Sequence, residues 1–258
     1  AAHMPPMVYC KMSNIVSPTG AEAEGWLISV GGTPKEMLAR SPEFTYRRLL
    51  AAAKMAERMG AQIMGLGAFT KVVGDAGITV ARRAPLPVTT GNSYSASGAL
   101  WAAADAMRRM GLVKLHPVDR HVMAKTMVIG ATGSIGSVSA RLLAMAFDEV
   151  VLAGRDLRKL EELKASILKD TPKAKVVCST DYDALLGEMD MIVTSTSGAG
   201  KKILDITKVK PGCVITDVAR PLDLPPEEVA KRPDVLVIES GEIELPTKVK
   251  GLKSIGLP

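Results

Sequence analysis

The sequence predicts an α/β chain: a doubly wound parallel sheet preceded by a smaller α/β substrate domain. Three observations carry that prediction. From Thr126 onward, short apolar strands alternate with amphipathic helices. A glycine-rich turn, Gly130-Ala131-Thr132-Gly133-Ser134-Ile135-Gly136, stands between the first of those strands and the helix after it. Up to about Pro87 the chain is more irregular, broken by Pro18, Gly20, Gly25, Gly31, Gly32 and Pro34.

The elements follow in order. Trp26 to Val30 reads as a short strand and Glu36 to Arg40 as one helical turn. Phe44 to Met59 is a helix, because Leu49, Leu50, Ala53, Ala56 and Met59 share a face and Gly60 is placed as a cap. Gln62 to Leu66 reads as a buried strand, and Ser95 to Met110 as an alanine-dense helix ended by Gly111. A linker with His116 and Pro117 follows. Strands are then expected at Thr126–Ile129, Glu149–Ala153, Lys175–Cys178, Met191–Thr194, Cys213–Asp217 and Val235–Glu239. Helices are expected at Ser137–Phe147 and Leu157–Lys169, with a short one at Asp181–Gly187. This places a substrate domain in residues 1–95, a linking helix and linker in 96–119, and a nucleotide-binding domain in 120–258. Met55, Met59, Met107 and Met110, at helical spacing, read as core filler.

Composition narrows the function classes. Hydrophobic residues make up 47% of the 258 and charged residues 23%, which is globular rather than disordered. No apolar run approaches the ~18 residues of a membrane helix. Thirty-three Lys and Arg against 27 Asp and Glu leave a net charge of +6, enough to favour a phosphorylated cofactor but too scattered for nucleic acid. Aromatics at 3% supply no stacking platform for single strands. Cys10, Cys178 and Cys213 have no metal-ligand spacing, so a reduced, cytoplasmic protein with no metal is expected. The opening Ala1-Ala2-His3-Met4 reads as a cloning scar, not a signal peptide.

The glycine turn carries the chemistry. Glycine lets the chain turn tightly and lets its backbone approach a pyrophosphate, which then rests on the N–H groups of a helix N-terminus. Strand–turn–helix context makes this G-x-x-G-x-x-G a Rossmann-type dinucleotide signal. Gly130, Thr132, Gly133, Ser134, Ile135 and Gly136 are the expected cofactor contacts. After the second strand, Arg155 stands where an NAD enzyme usually carries a carboxylate, and Arg158 is close by. A guanidinium suits a 2′-phosphate, so NADP (NADPH) is expected over NAD. The other reading gives Asp156 the ribose hydroxyls and leaves both arginines solvated. Ser195 and Thr196 follow the fourth strand, at the edge where ligands sit in such sheets.

Candidates for catalysis are fewer. Thr90 and Asn92 combine an amide and a hydroxyl around Gly91, although the same residues suit a helix N-cap. Lys71, at the end of a predicted strand, is placed to polarise a carbonyl. Asp217, Glu239, Glu242 and Glu244 are carboxylates near the expected nicotinamide side. His116 and His121 read as solvated linker residues.

Thr89-Thr90-Gly91-Asn92, the alanine-rich helix and Val128 to Ser137 together resemble the long-chain acyl-(acyl-carrier-protein) reductases of cyanobacteria and their relatives. The resemblance also takes in Pro34 to Leu38, Leu66 to Thr70 and Cys213 to Asp217. It implies NADPH-dependent reduction of a fatty acyl thioester to an aldehyde, with Gly130 to Gly136 and Arg155 at the cofactor and Thr90 and Asn92 at the cleft. It also implies an acyl-thioester or other small-molecule substrate. Acyl carrier protein and a second copy of the chain stay open as partners, with no nucleic acid. The family attacks with a cysteine shortly after the segment that here reads Val237 to Gly241; this chain has Pro246 there and no cysteine after Cys213. Two alternatives need no such cysteine. One is an NAD(P)-dependent amino-, imino- or hydroxy-acid dehydrogenase, since the order of parts also resembles the two-domain class that includes shikimate dehydrogenase. The other is a non-catalytic NADP-binding module.

Overall fold

The computed structural model describes residues 4–67, 74–197, 202–241, 243–244 and 247–251. The chain divides into two compact units, residues 1–91 with 244–258, and residues 92–243.

The first unit opens on an antiparallel pair, β1 (Met7–Val16) and β2 (Glu22–Ser29). The strand expected at Trp26 to Val30 is the end of this pair, and the rest of it lies in the stretch expected to be irregular. Most of both strands is exposed or half-buried, so neither shows an alternating apolar face. Helix α1 (Pro34–Leu38) starts from a capping box: Thr33 accepts from the Glu36 N–H while Glu36 reaches back to Thr33. Helix α2 (Pro42–Arg58) buries Tyr46, Leu49, Ala52, Ala53 and Ala56 on one face. Two residue-pair strands, β3 (Met64–Gly65) and β4 (Val88–Thr89), lie parallel, with α3 (Ile78–Arg83) between them in sequence. Asp75 fixes the entry to α3: it accepts from the Thr79 N–H and hydroxyl, and Tyr46 donates to it at 3.3 Å.

The second unit is a six-stranded parallel sheet. Helix α4 (Asn92–Arg109) belongs to it. Its strands are β5 (Val122–Ile129), β6 (Phe147–Ala153), β7 (Lys175–Ser179), β8 (Met191–Thr194), β9 (Val214–Asp217) and β10 (Leu236–Glu239). Their order across the sheet is β10-β9-β8-β5-β6-β7, the 3-2-1-4-5-6 arrangement of a doubly wound dinucleotide fold.

Alternation along each strand sorts the core into two layers. Val128, Val150, Leu152, Met191 and Val193 pack against α4, α5 (Ser134–Ala146) and α6 (Leu157–Asp170) through Ala103, Met107, Ala140, Leu143, Leu160 and Ile167. Met127, Ile129, Val151, Ile192 and Ile215 face the other way, onto Leu186, Met189, Leu204 and Ile206. That second face is covered by 3-10 turns at Asp183–Glu188 and Ile206–Lys208 rather than by long helices. The expected short helix at Asp181–Gly187 is one of these turns. Of the methionines read as core filler, Met107 is fully buried, while Met110 is exposed past the helix end.

Leu160→Ala should cost about 2–5 kcal/mol in urea unfolding, because its side chain is fully buried beneath α6. Leu157→Ala, on the exposed side of the same helix, should stay within about 0.5 kcal/mol.

Candidate functional site

The carboxyl ends of β5, β6 and β8 bring the predicted cofactor residues to one edge of the second unit. Gly130 ends β5 with φ +84°, a left-handed conformation that glycine adopts without strain. A Cβ on Gly130 would come within 2.9 Å of the Ser195 carbonyl. A Cβ on Gly136 would come within 2.2 Å of the Gly130 carbonyl. Helix α5 therefore starts hard against the strand end, which no other residue permits. Gly133 is its N-cap, and no side chain caps the first turn among the described residues. The N–H groups of that turn are left for an outside acceptor. Thr132 and Ser134 are exposed, and Ile135 is half-buried beside them.

The loop after β8 closes on this turn. The Ser195 N–H donates to the Ile129 carbonyl at 3.1 Å, and its hydroxyl reaches the same oxygen at 3.4 Å. Thr196 is pinned from below by Asp223, which the sequence reading missed. Asp223 accepts from the Thr196 N–H at 2.9 Å and from its hydroxyl at 2.5 Å, and is only 1% exposed. Burial raises the Asp223 carboxyl above its ordinary range, against the hydrogen bonds from Thr196. Asp223 follows Pro221 in a loop with no periodic signal, and nothing in the sequence ties it to Thr196. Asp217 is also buried, but it accepts from the Ala219 and Leu224 N–H groups and so serves its own turn.

At the end of β6 the two readings separate. Asp156 is the N-cap of α6 and accepts from the Lys159 N–H at 3.2 Å. Arg155 is exposed and makes no ion pair among the described residues. Arg158 is exposed and lies 3.7 Å from Glu162.

The catalytic candidates are divided. Thr90 is half-buried at the end of the first unit, and Asn92 opens α4 in the second. Lys71, Glu242 and Pro246 lie outside the described residues. Glu239 is exposed, 3.3 Å from Arg220, and Glu244 is exposed in the first unit. No cysteine is set up as a nucleophile. Burial pushes the Cys213 thiol up to about 12, and burial with Glu161 nearby pushes Cys178 up to about 11. Cys10 is buried in β1.

The glycine cradle and the uncapped helix start fit a dinucleotide. The chain is similar to several known proteins. Residues 114–244 match the model of the shikimate / quinate 5-dehydrogenase family. "Aminotransferase PigE" of Serratia sp. is 30% identical over 94% of this chain and 27% of its own length. The long-chain acyl-[acyl-carrier-protein] reductase of Synechococcus elongatus is 27% identical over 85% of this chain and 63% of its own. The chain thus spans less than two thirds of either relative. Quinate dehydrogenase of Corynebacterium glutamicum, solved with NAD, is 16% identical, with a TM-score of 0.42 over 56% of this chain and 51% of that one. An oxidoreductase-type NAD(P)-binding fold carries this site.

Gly136→Ala should abolish the thermal stabilisation that a dinucleotide gives the protein, because the new methyl meets backbone. Gly187→Ala, whose Cβ would find only ordinary contact at 3.5 Å, should leave that stabilisation intact.

Proposed function

We propose that this chain, which belongs to the shikimate / quinate 5-dehydrogenase family, is an NADPH-dependent oxidoreductase that reduces an acyl thioester to an aldehyde. The observation that carries the cofactor half of this reading is the division of labour at β6. Asp156 caps α6 through one oxygen and has Lys159 near the other, while Arg155 beside it is exposed and without an ion pair among the described residues. Arg155 binds the 2′-phosphate, and Arg158 assists at longer range. The turn from Gly130 to Gly136, with Thr132, Ser134 and Ile135, holds the pyrophosphate on the start of α5. Ser195 and Thr196, held by Asp223, wall the nicotinamide side. When bound, a reduced nicotinamide supplies the hydride that, with one proton, turns a thioester into an aldehyde and a free thiol. Thr90, Asn92 and Lys71 carry the hydroxyl, amide and ammonium groups proposed to act on the carbonyl.

The acyl-thioester half is supported by the T-T-G-N segment and by similarity to the acyl reductase across most of this chain. The burial of Cys213 and the raised thiols of Cys178 and Cys213 favour direct hydride transfer over an acyl-enzyme. The same observation, with the family match, favours a second reading: an NAD(P)-dependent hydroxy- or amino-acid dehydrogenase. NADPH oxidation with a long-chain acyl thioester, followed by absorbance, decides between them. Aldehyde-forming turnover supports the first reading. Turnover on free hydroxy or amino acids alone selects the second. Binding of NADPH with turnover on neither set would leave a non-catalytic nucleotide-binding module.

Arg155→Asp should weaken NADPH binding about 10- to 100-fold and reverse the preference towards NADH, since a charge-assisted phosphate contact contributes about 1.5–3 kcal/mol. Isothermal titration with both cofactors would check it, and an unchanged preference would remove Arg155 from the site.

A further inference from the structure

We propose that His116, Asp119 and His121 form a binding site for a divalent transition-metal ion of the zinc class, at the end of the parallel sheet away from the nucleotide edge. The site lies within the second unit. The chain there makes a tight hairpin. Leu115 bridges Val122, the His116 N–H donates to the His121 carbonyl at 2.8 Å, and Arg120 at the bend has φ +64°. This folds three donor-bearing residues of a six-residue loop onto one another. The Nδ1 atoms of both histidines address the same oxygen, Asp119 Oδ1, that of His116 at 2.8 Å and that of His121 in still closer contact. The three donor atoms lie within 4.8 Å of one another, and the two rings stack with centroids 4.8 Å apart. The Val118 N–H donates to the same His116 nitrogen at 3.4 Å, a long hydrogen bond that an ion would displace.

The surroundings match a metal centre in two further ways. The other nitrogen of His121, Nε2, faces Asp148 Oδ1 of β6 at 2.5 Å. A carboxylate on the far side of a ligating imidazole fixes its tautomer and ring orientation. Charge is the second match. Asp119 and Asp148 bring two carboxylates to a pair of imidazoles, and among the described residues no lysine or arginine pairs with either. A dipositive ion balances that charge. Two imidazole nitrogens and one carboxylate oxygen are a ligand set for zinc rather than for magnesium or calcium. The donor separations, 2.8 Å from His116 to Asp119 and up to 4.8 Å over the set, bracket the roughly 3.3 Å between donors of a tetrahedral ion. His116 and Asp119 are accessible, so a fourth position stays open to water. The ion would clasp the hairpin to the amino end of β6, next to the Val122–Phe147 pairing.

Titration with zinc and with cobalt of protein lacking any affinity tag tests this. One ion per chain should bind, and bound cobalt should show the visible absorption of a tetrahedral site. His121→Ala and Asp119→Ala should each weaken zinc binding at least ~100-fold, and Asp148→Asn about 10-fold. His3→Ala, which changes the chain's third histidine, should change nothing. Zinc should raise the melting temperature of the wild type but not of His121→Ala, and the melting curve of each metal-free variant shows whether it is folded. Absence of zinc binding would overturn the proposal. So would binding that survives in a folded His121→Ala or Asp119→Ala variant, which would place the ion elsewhere.

Discussion

The approach of one backbone to another at Gly130 and Gly136 is the constraint on which the rest of the nucleotide edge depends. The start of α5 lies so close to the end of β5 that a single added carbon would sit 2.2 Å from a carbonyl. That closeness places the open N–H groups of the helix directly over the strand end. It also sets the position of the Ser195–Thr196 loop, which packs on the same two glycines and is anchored by Asp223. Loosening the contact would therefore disturb the phosphate cradle and the loop after β8 together.

Much of the second unit was legible because burial on both faces forces long apolar runs. Residues 126–129, 150–153 and 191–193 have no solvent face, so their sequences are nearly uninterrupted apolar stretches. Glycines that the backbone requires announce themselves equally well. The first unit was harder to read. β1 and β2 are mostly exposed and carry mixed residues, and β3 and β4 are two residues long, below the length at which any period appears. Asp223 was illegible for another reason. Its role arises from a contact between segments distant in sequence, with Thr196. No local pattern encodes such contacts.

The two carboxylates that follow parallel strands show how burial and hydrogen bonding assign different duties to one residue type. Asp156 lies at a helix start and spends its oxygen on a backbone N–H, a cap that contributes about 1 kcal/mol. Asp223 is buried and carries a loop. Beside the first of them stands the exposed guanidinium of Arg155.

The path of the chain through the two units has a consequence for biosynthesis. The first unit is interrupted after Gly91 and resumes at Glu244. Its late segment returns to β1: Ser13 and Lys250 exchange backbone hydrogen bonds, and Thr247 bonds Val16 and Asn14. The nucleotide-binding sheet is synthesised before residues 247–250, which bond to β1, and so can fold before that pairing forms.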